Sequence, residues 1–158
     1  MTGVQTCALP IFAKFAVWPD AYYMSDEEFT GSDYSGTGMF AFDRSRMLLG
    51  DPSASYVYFH RPSLSTARAG NLLPADLDGL NPPPAGTHNT FVGYSATEYG
   101  ESQDAIRLFD FVPDFDDPSA STFTERPESP LAVAAFEDRK STRLNSSHIP
   151  LSRMPSSA

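Results

Sequence analysis

Carboxylates dominate the groups that could do chemistry here: 20 Asp and Glu stand against 11 Lys and Arg, three His and one Cys. Glycoside hydrolysis needs two carboxyl groups held roughly 5–10 Å apart. With so many acids some pair meets that spacing by chance, so the count assigns nothing. An acidic-sugar substrate would also call for clustered arginines. Those between residues 12 and 137 are scattered at 44, 46, 61, 68, 107 and 126. Asp76-x-Asp78-Gly79 could open a calcium loop, which takes six to eight oxygens. Leu80, Asn81 and then prolines follow, so the pattern fails, and Asp114, Asp116 and Asp117 add ligands only if the fold brings them near. Otherwise these are solvated turn acids. His88 follows a Pro-rich run with no Ser or Asp at a motif spacing and reads as a loop histidine, while His60 ends a strand with Tyr56 and Tyr58 and reads as half-buried packing. A lone cysteine supports neither a disulfide framework nor a thiolate metal site. No catalytic residue, metal or cofactor is assigned.

The aromatics offer more. Trp18, Tyr22, Tyr23, Tyr34, Tyr94 and Tyr99 could stack on sugar rings or on a partner protein. Aromatics on short strands also serve as core or cross-strand packing. Trp18 and Tyr22 flank the Pro19-Asp20 turn, which makes Trp18, Asp20 and Tyr22 the binding candidates, with a glycan or a cell-surface protein as the expected partner.

The two ends have a different character. Residues 1–11, Met-Thr-Gly-Val-Gln-Thr-Cys-Ala-Leu-Pro-Ile, resemble the translation of a short-read sequencing adapter. From Asp138, Asp-Arg-Lys-Ser-Thr-Arg-Leu-Asn-Ser-Ser-His resembles the opposite adapter. Ile149-Pro150-Leu151 fall where a sample barcode would sit, and residues 152–158 match the fixed sequence after it. Segments of that kind are set aside before fold reasoning. Residues 1–11 and 138–158 are therefore expected to be disordered, non-native tails that pack against nothing, and 12–137 a fragment of a longer domain. That insert holds 19 acids and 7 bases, net −12, two histidines and no cysteine. Such an acidic balance argues against nucleic acid or an anionic membrane surface as partner. No run of about 18 apolar residues exists to span a bilayer.

Positioning falls to short extended segments between turn signals. Residues 12–18 and 21–25 read as strands about Pro19-Asp20, and the polar, Gly-rich stretch 30–38 reads as a loop. A third strand covers 39–42. Asp43 then caps a helical turn over 44–49, with Gly50 just past its end. Strands follow at 55–60, 90–96 and 105–111, the last two forming a hairpin around 97–104. Between them, 61–89 shows no periodicity and is unusually long for a compact domain. Residues 114–118 read as a turn, and 121–124 and 131–136 close the set. About eight short strands and no amphipathic helix of ten residues predict an all-β, antiparallel architecture, a sandwich, barrel or propeller.

Ser32-Asp33-Tyr34-Ser35-Gly36-Thr37 resembles the Asp-box of sialidase-like propellers, but Asp33 directly follows Ser32 and no Trp closes it. Even a true Asp-box stabilises a turn and performs no reaction. Four further segments together resemble a group of large secreted bacterial proteins with a β-propeller-like domain, often beside immunoglobulin-like repeats. They are Phe15-Ala-Val-Trp-Pro-Asp-Ala-Tyr-Tyr-Met-Ser25, Phe40-Ala-Phe-Asp-Arg-Ser-Arg-Met-Leu48, Leu72-Leu-Pro-Ala-Asp-Leu-Asp-Gly79 with its Pro-Pro-Pro-Ala-Gly run, and Arg107-Leu-Phe-Asp-Phe-Val112. The resemblance implies an extracellular or cell-envelope protein without a defined catalytic motif. At roughly 40–50 residues per blade, the insert would make about two to three blades of an incomplete propeller. A non-catalytic binding or structural module is then expected. The alternative is part of a sialidase-like, glycan-hydrolysing propeller with its active site incomplete. A convergent acid pair beside clustered arginines would favour the enzyme; a shallow face with exposed aromatics would favour binding. Missing blades would leave strand edges and apolar surface exposed, so the isolated chain is expected to aggregate or stay partly unfolded.

Overall fold

A computed structural model describes residues 11–62 and 72–136. The segments read as adapter-derived lie outside the described residues, apart from Ile11, which opens the first strand.

The chain is all-β and antiparallel. Strands β1 (Ile11–Val17), β2 (Ala21–Thr30), β3 (Asp33–Asp43) and β4 (Tyr56–Pro62) form one four-stranded sheet in sequence order. Helix α1 (Arg44–Leu49) links β3 to β4. The second sheet orders β5 (Leu73–Pro74), β6 (Asn89–Ser95), β7 (Ala105–Val112) and β8 (Thr122–Glu125) in the same way. β9 (Leu131–Ala132) also pairs with β7, opposite Ala105 and Ile106, beyond the end of β8 at Glu125. The first sheet is thus a four-stranded up-and-down meander, and the second has five strands, a β5–β8 meander with β9 added on β7.

Strand periodicity assigns the faces. In β2 and β3, Ala21, Tyr23, Ser25, Met39 and Ala41 are buried; in β6 and β7, Phe91, Phe109 and Phe111 are. Together with Ala16, Val57 and Leu72 all of these except Ser25 form one hydrophobic core between the sheets. Tyr23 meets the rings of Phe91 and Phe111 edge-on at 5.9 and 5.5 Å, and Phe59 meets Phe111 at 5.3 Å, so aromatic contacts join the sheets directly. The Ser25 hydroxyl donates to the Leu72 carbonyl across the same junction.

Helix α1 follows the sequence closely. The Asp43 carboxylate accepts from the Arg46 amide at 3.1 Å and the Ser45 hydroxyl at 2.7 Å. Gly50, at φ 66°, ends the helix in the left-handed conformation that favours glycine.

Three segments depart from expectation. The stretch 30–38, expected to be a loop, is mostly strand: β2 runs to Thr30 and β3 starts at Asp33, leaving Gly31 and Ser32 as a two-residue turn. Its glycines lie in the ladder because the space beside them is taken. A Cβ at Gly36 would land on the Arg61 carbonyl oxygen, and one at Gly38 on Asp26 Oδ1 and 2.6 Å from Glu28 Oε1. The interval 61–89 contains the short β5, held to β6 by pairing at Leu73 and Pro74. The strand expected over 131–136 spans only Leu131–Ala132; beyond it the backbone turns to bond Asp104, through Val133 N to Asp104 O at 3.0 Å.

Candidate functional site

Residues of β1 to β4 that point away from the core build an apolar face on the first sheet. Backbone register aligns them in two cross-strand rows: Val17, Tyr22, Phe42 and Tyr56, then Phe15, Met24, Phe40 and Tyr58. Side chains directly opposite one another are the contacts that stabilise a sheet. Tyr58 accordingly lies 4.8 Å from Phe40 and Tyr56 6.0 Å from Phe42, while Phe40 and Phe42, neighbours on one side of β3, stack at 6.0 Å with 5° between planes. The face is open: Phe15 is 70% exposed, Tyr56 59%, Val17 44% and Tyr58 42%. Met47 of α1 and Asp76 border a recess over Phe15, Val17, Tyr22 and Phe42.

Each end of the face carries charge. Beyond the Tyr22 row, the Arg44 guanidinium sits 5.6 Å over the Tyr22 ring, and Arg44 Nη1 donates to the Pro19 carbonyl at 3.5 Å. Arg44 Nε is buried with no hydrogen-bond partner, and among the described residues Arg44 has no carboxylate at ion-pair distance. Beyond the Met24 row, Asp26 and Glu28 extend over the side-chain-free backbone of Gly38. The Tyr58 hydroxyl donates to Glu28 Oε1 at 2.7 Å, and His60 Nε2 lies 3.4 Å from Glu28 Oε2. Asp26 is 5% exposed, and its Oδ1 has no partner. Burial first and the Glu28 charge second hold its carboxyl above the ordinary carboxylate range, against a smaller opposing pull from the Gly38 amide. Burial and then the Glu28 carboxylate also push the Tyr58 phenol up.

The three sequence candidates separate. Tyr22 belongs to the open face. Trp18 packs against the core and spends its indole N–H on the Thr87 carbonyl at 2.9 Å. With Asp20 it lines a different recess, formed with Pro82–Pro84, His88 and Pro113. Asp20 accepts from the Tyr23 hydroxyl at 2.9 Å, which places it as a clasp on the turn. Tyr23 itself is fully buried.

The proposed oxygen ligands are also drawn into structure. Asp76 accepts from the Val17 amide at 2.7 Å and covers part of the β1 edge. Asp114 accepts from the amides of Asp116 and Asp117, and Asp117 caps the 3-10 turn Pro118–Ala120 through the Ser119 amide. No group of three or more His, Cys, Asp or Glu placed to hold a metal occurs among the described residues. Of the scattered arginines, Arg61 and Arg107 do meet, both over the Phe109 ring at 4.5 and 5.6 Å. Arg107 is bound there by Glu125, so this pair lies between the sheets and apart from Asp26 and Glu28.

Sequence reading missed Phe15, Phe40, Phe42, Asp26 and Glu28 as one surface. Their alternation was visible, but the register that aligns them depends on the length of the β2–β3 hairpin. No family model matches the chain, and no curated protein or solved structure shows significant similarity to it. No helix among the described residues is long and apolar enough to cross a membrane.

Proposed function

We propose that this chain is part of a non-catalytic binding or structural module, propeller-like and extracellular, whose working surface is the outer face of the first sheet. The observation that carries this reading is the pair of aromatic and aliphatic rows across all four strands, exposed on β1 and β4 and half-buried on β2 and β3. Contiguous exposed apolar surface of this kind marks interaction sites. The propeller reading draws support from the two consecutive antiparallel meanders, β1–β4 and β5–β8 with β9 added, on one core, together with the sequence resemblance. The chemistry of the face favours a protein partner over a glycan. Phe15, Val17, Met24, Phe40 and Phe42 supply no hydrogen bonds, whereas sugar hydroxyls need them beside a stacking ring.

One observation favours a second reading. Asp26 and Glu28 converge, with one carboxyl raised, as a glycan hydrolase would require. Among the described residues, which leave out Arg68, the groups set against the pair are Tyr58 and His60, with no arginine cluster.

Three assays test these readings on the full chain: binding of a polarity-sensitive dye at submicromolar protein, turnover of a panel of aryl glycosides, and retention on immobilised polysaccharide. Dye binding lost in Phe15→Glu, with no turnover, is the expected result. Turnover abolished by Glu28→Gln would install the hydrolase instead. Retention on immobilised polysaccharide that Tyr56→Ala abolishes would move the partner to a glycan.

A further inference from the structure

We infer that the outer face of the first sheet packs against the same face of a second copy of this chain, related by a two-fold axis lying in the interface across the strands. This rests on the reading of that face as a binding surface and names its occupant.

The argument is charge complementarity. Along the strand direction the face runs from Arg44, through the Tyr22 row and the Met24 row, to Asp26 and Glu28. Successive rows are two residues apart, about 7 Å in an antiparallel strand. The two apolar rows are therefore flanked by one cationic end and one acidic end. A two-fold axis between the apolar rows and perpendicular to the strands reverses that order in the partner. Tyr22 rows then lie on Met24 rows, and each Arg44 comes to the Asp26–Glu28 end of the other copy. An axis parallel to the strands would instead set acid on acid and Arg on Arg.

Both ends have unused capacity. Arg44 has no ion-pair partner among the described residues and an orphaned Nε, and Asp26 Oδ1 is orphaned in a side chain that is 5% exposed. The two orphaned atoms are buried within one copy, so the groups left to meet across the axis are the Arg44 guanidinium and the Glu28 carboxylate, and this packing gives Arg44 the ion pair it lacks. The outer face of the second sheet is a poorer partner because its charges are matched internally. Arg126 there binds Asp110 at 2.7 Å and the Thr90 hydroxyl at 2.6 Å.

Four strands about 4.8 Å apart and two to three rows give a footprint of a few hundred Å² per copy. A standard interface buries about 800 Å² per partner, so the dimer is expected to be weak, dissociating at tens of micromolar.

Sedimentation equilibrium of the full chain from about 1 to 300 µM, a range chosen to bracket that affinity, tests the inference. A monomer–dimer equilibrium is expected, weakened at least tenfold by Phe15→Glu, by Arg44→Glu and by Glu28→Lys. An equimolar mixture of the Arg44→Glu and Glu28→Lys chains should recover association to within about threefold of the original, because both contacts between positions 44 and 28 across the axis are again between opposite charges. Circular dichroism checks each variant; if Glu28→Lys fails to fold, Phe15→Glu and Arg44→Glu decide. A monomer throughout the range overturns the inference, as does a dimer indifferent to these substitutions or assembly beyond a dimer. A monomer that still binds dye in a Phe15-dependent way would overturn the second copy and leave the binding face standing.

Discussion

Asp26 shows how one residue can be set by its neighbours against its own charge. It lies on the same side of β2 as Tyr22 and Met24, yet the missing side chain of Gly38 lets it sink beneath Tyr58 and Phe40. Burial and the Glu28 carboxylate raise its ionisation above that of the unfolded chain. A carboxyl raised by folding costs stability wherever the folded protein must hold it ionised, and costs nothing once both states are protonated. Asp26→Asn keeps the shape, removes the charge and sets an N–H donor beside the Glu28 carboxylate. The variant should be more stable than the parent by about 1 kcal/mol at neutral pH. The gain should fade toward zero as pH falls to about 4, where the unfolded side chain is itself half protonated. Urea unfolding at the two pH values measures it. A gap of equal size at both would show that the charge is not what Asp26 contributes. None of this was visible in the sequence, where Asp26, Glu27 and Glu28 are three consecutive acids with no local sign of burial.

At the scale of elements, most strands were legible because their signals are local. Alternation in 21–25, 55–60 and 105–111, the Asp43 cap and the Gly50 stop each lie within a few residues of what they specify. The misread stretch 30–38 has a different logic. Its glycines and serines have turn chemistry, but Gly36 and Gly38 are required by the carboxylates and the Arg61 backbone from neighbouring strands. β5 escaped notice because two residues carry no period, and its place depends on Val92 and Phe91 opposite. Asp104 is a similar case. Nothing in Ser-Gln-Asp marks it, yet it is 3% exposed and accepts from the amides of Thr97 and Phe136, both at 2.6 Å. It thereby fastens the C-terminal stretch 133–136 to the start of β7. The Thr97 amide, followed by that of Phe136, holds its carboxyl below the usual range. The stabilisation it contributes is therefore present above the unfolded value and lost as pH falls through the folded one. Asp104→Ala should speed amide exchange at Thr97 and across 133–136 while the β6–β7 ladder keeps its protection. Equal loss of protection in both regions would show that the fastening belongs to the whole sheet.

At the scale of the molecule, the same residue type serves opposite ends according to the face on which it falls. Phe111 is fully buried and touches the rings of Tyr23, Phe59, Phe91 and Phe123, so it stands where the two sheets are joined. Phe15 is 70% exposed on a sheet whose other side already covers the core. The all-β architecture could be read from composition and turn spacing, but this sorting of phenylalanines could not, because it needs the pairing of both sheets at once. Removing the Phe111 ring opens a cavity among rings that cannot all close over it. Phe111→Ala should therefore cost about 3–5 kcal/mol, a large share of the roughly 5–15 kcal/mol that holds a typical domain together. Phe15→Ala, measured at a concentration where the chain is monomeric, should stay within about 0.5 kcal/mol of the parent. Paired denaturant melts give both values. A large loss at Phe15 in the monomer would mean that the open face is structural within one copy. A loss at Phe111 near that of Phe15 would mean that the sheets hold without their shared aromatic core.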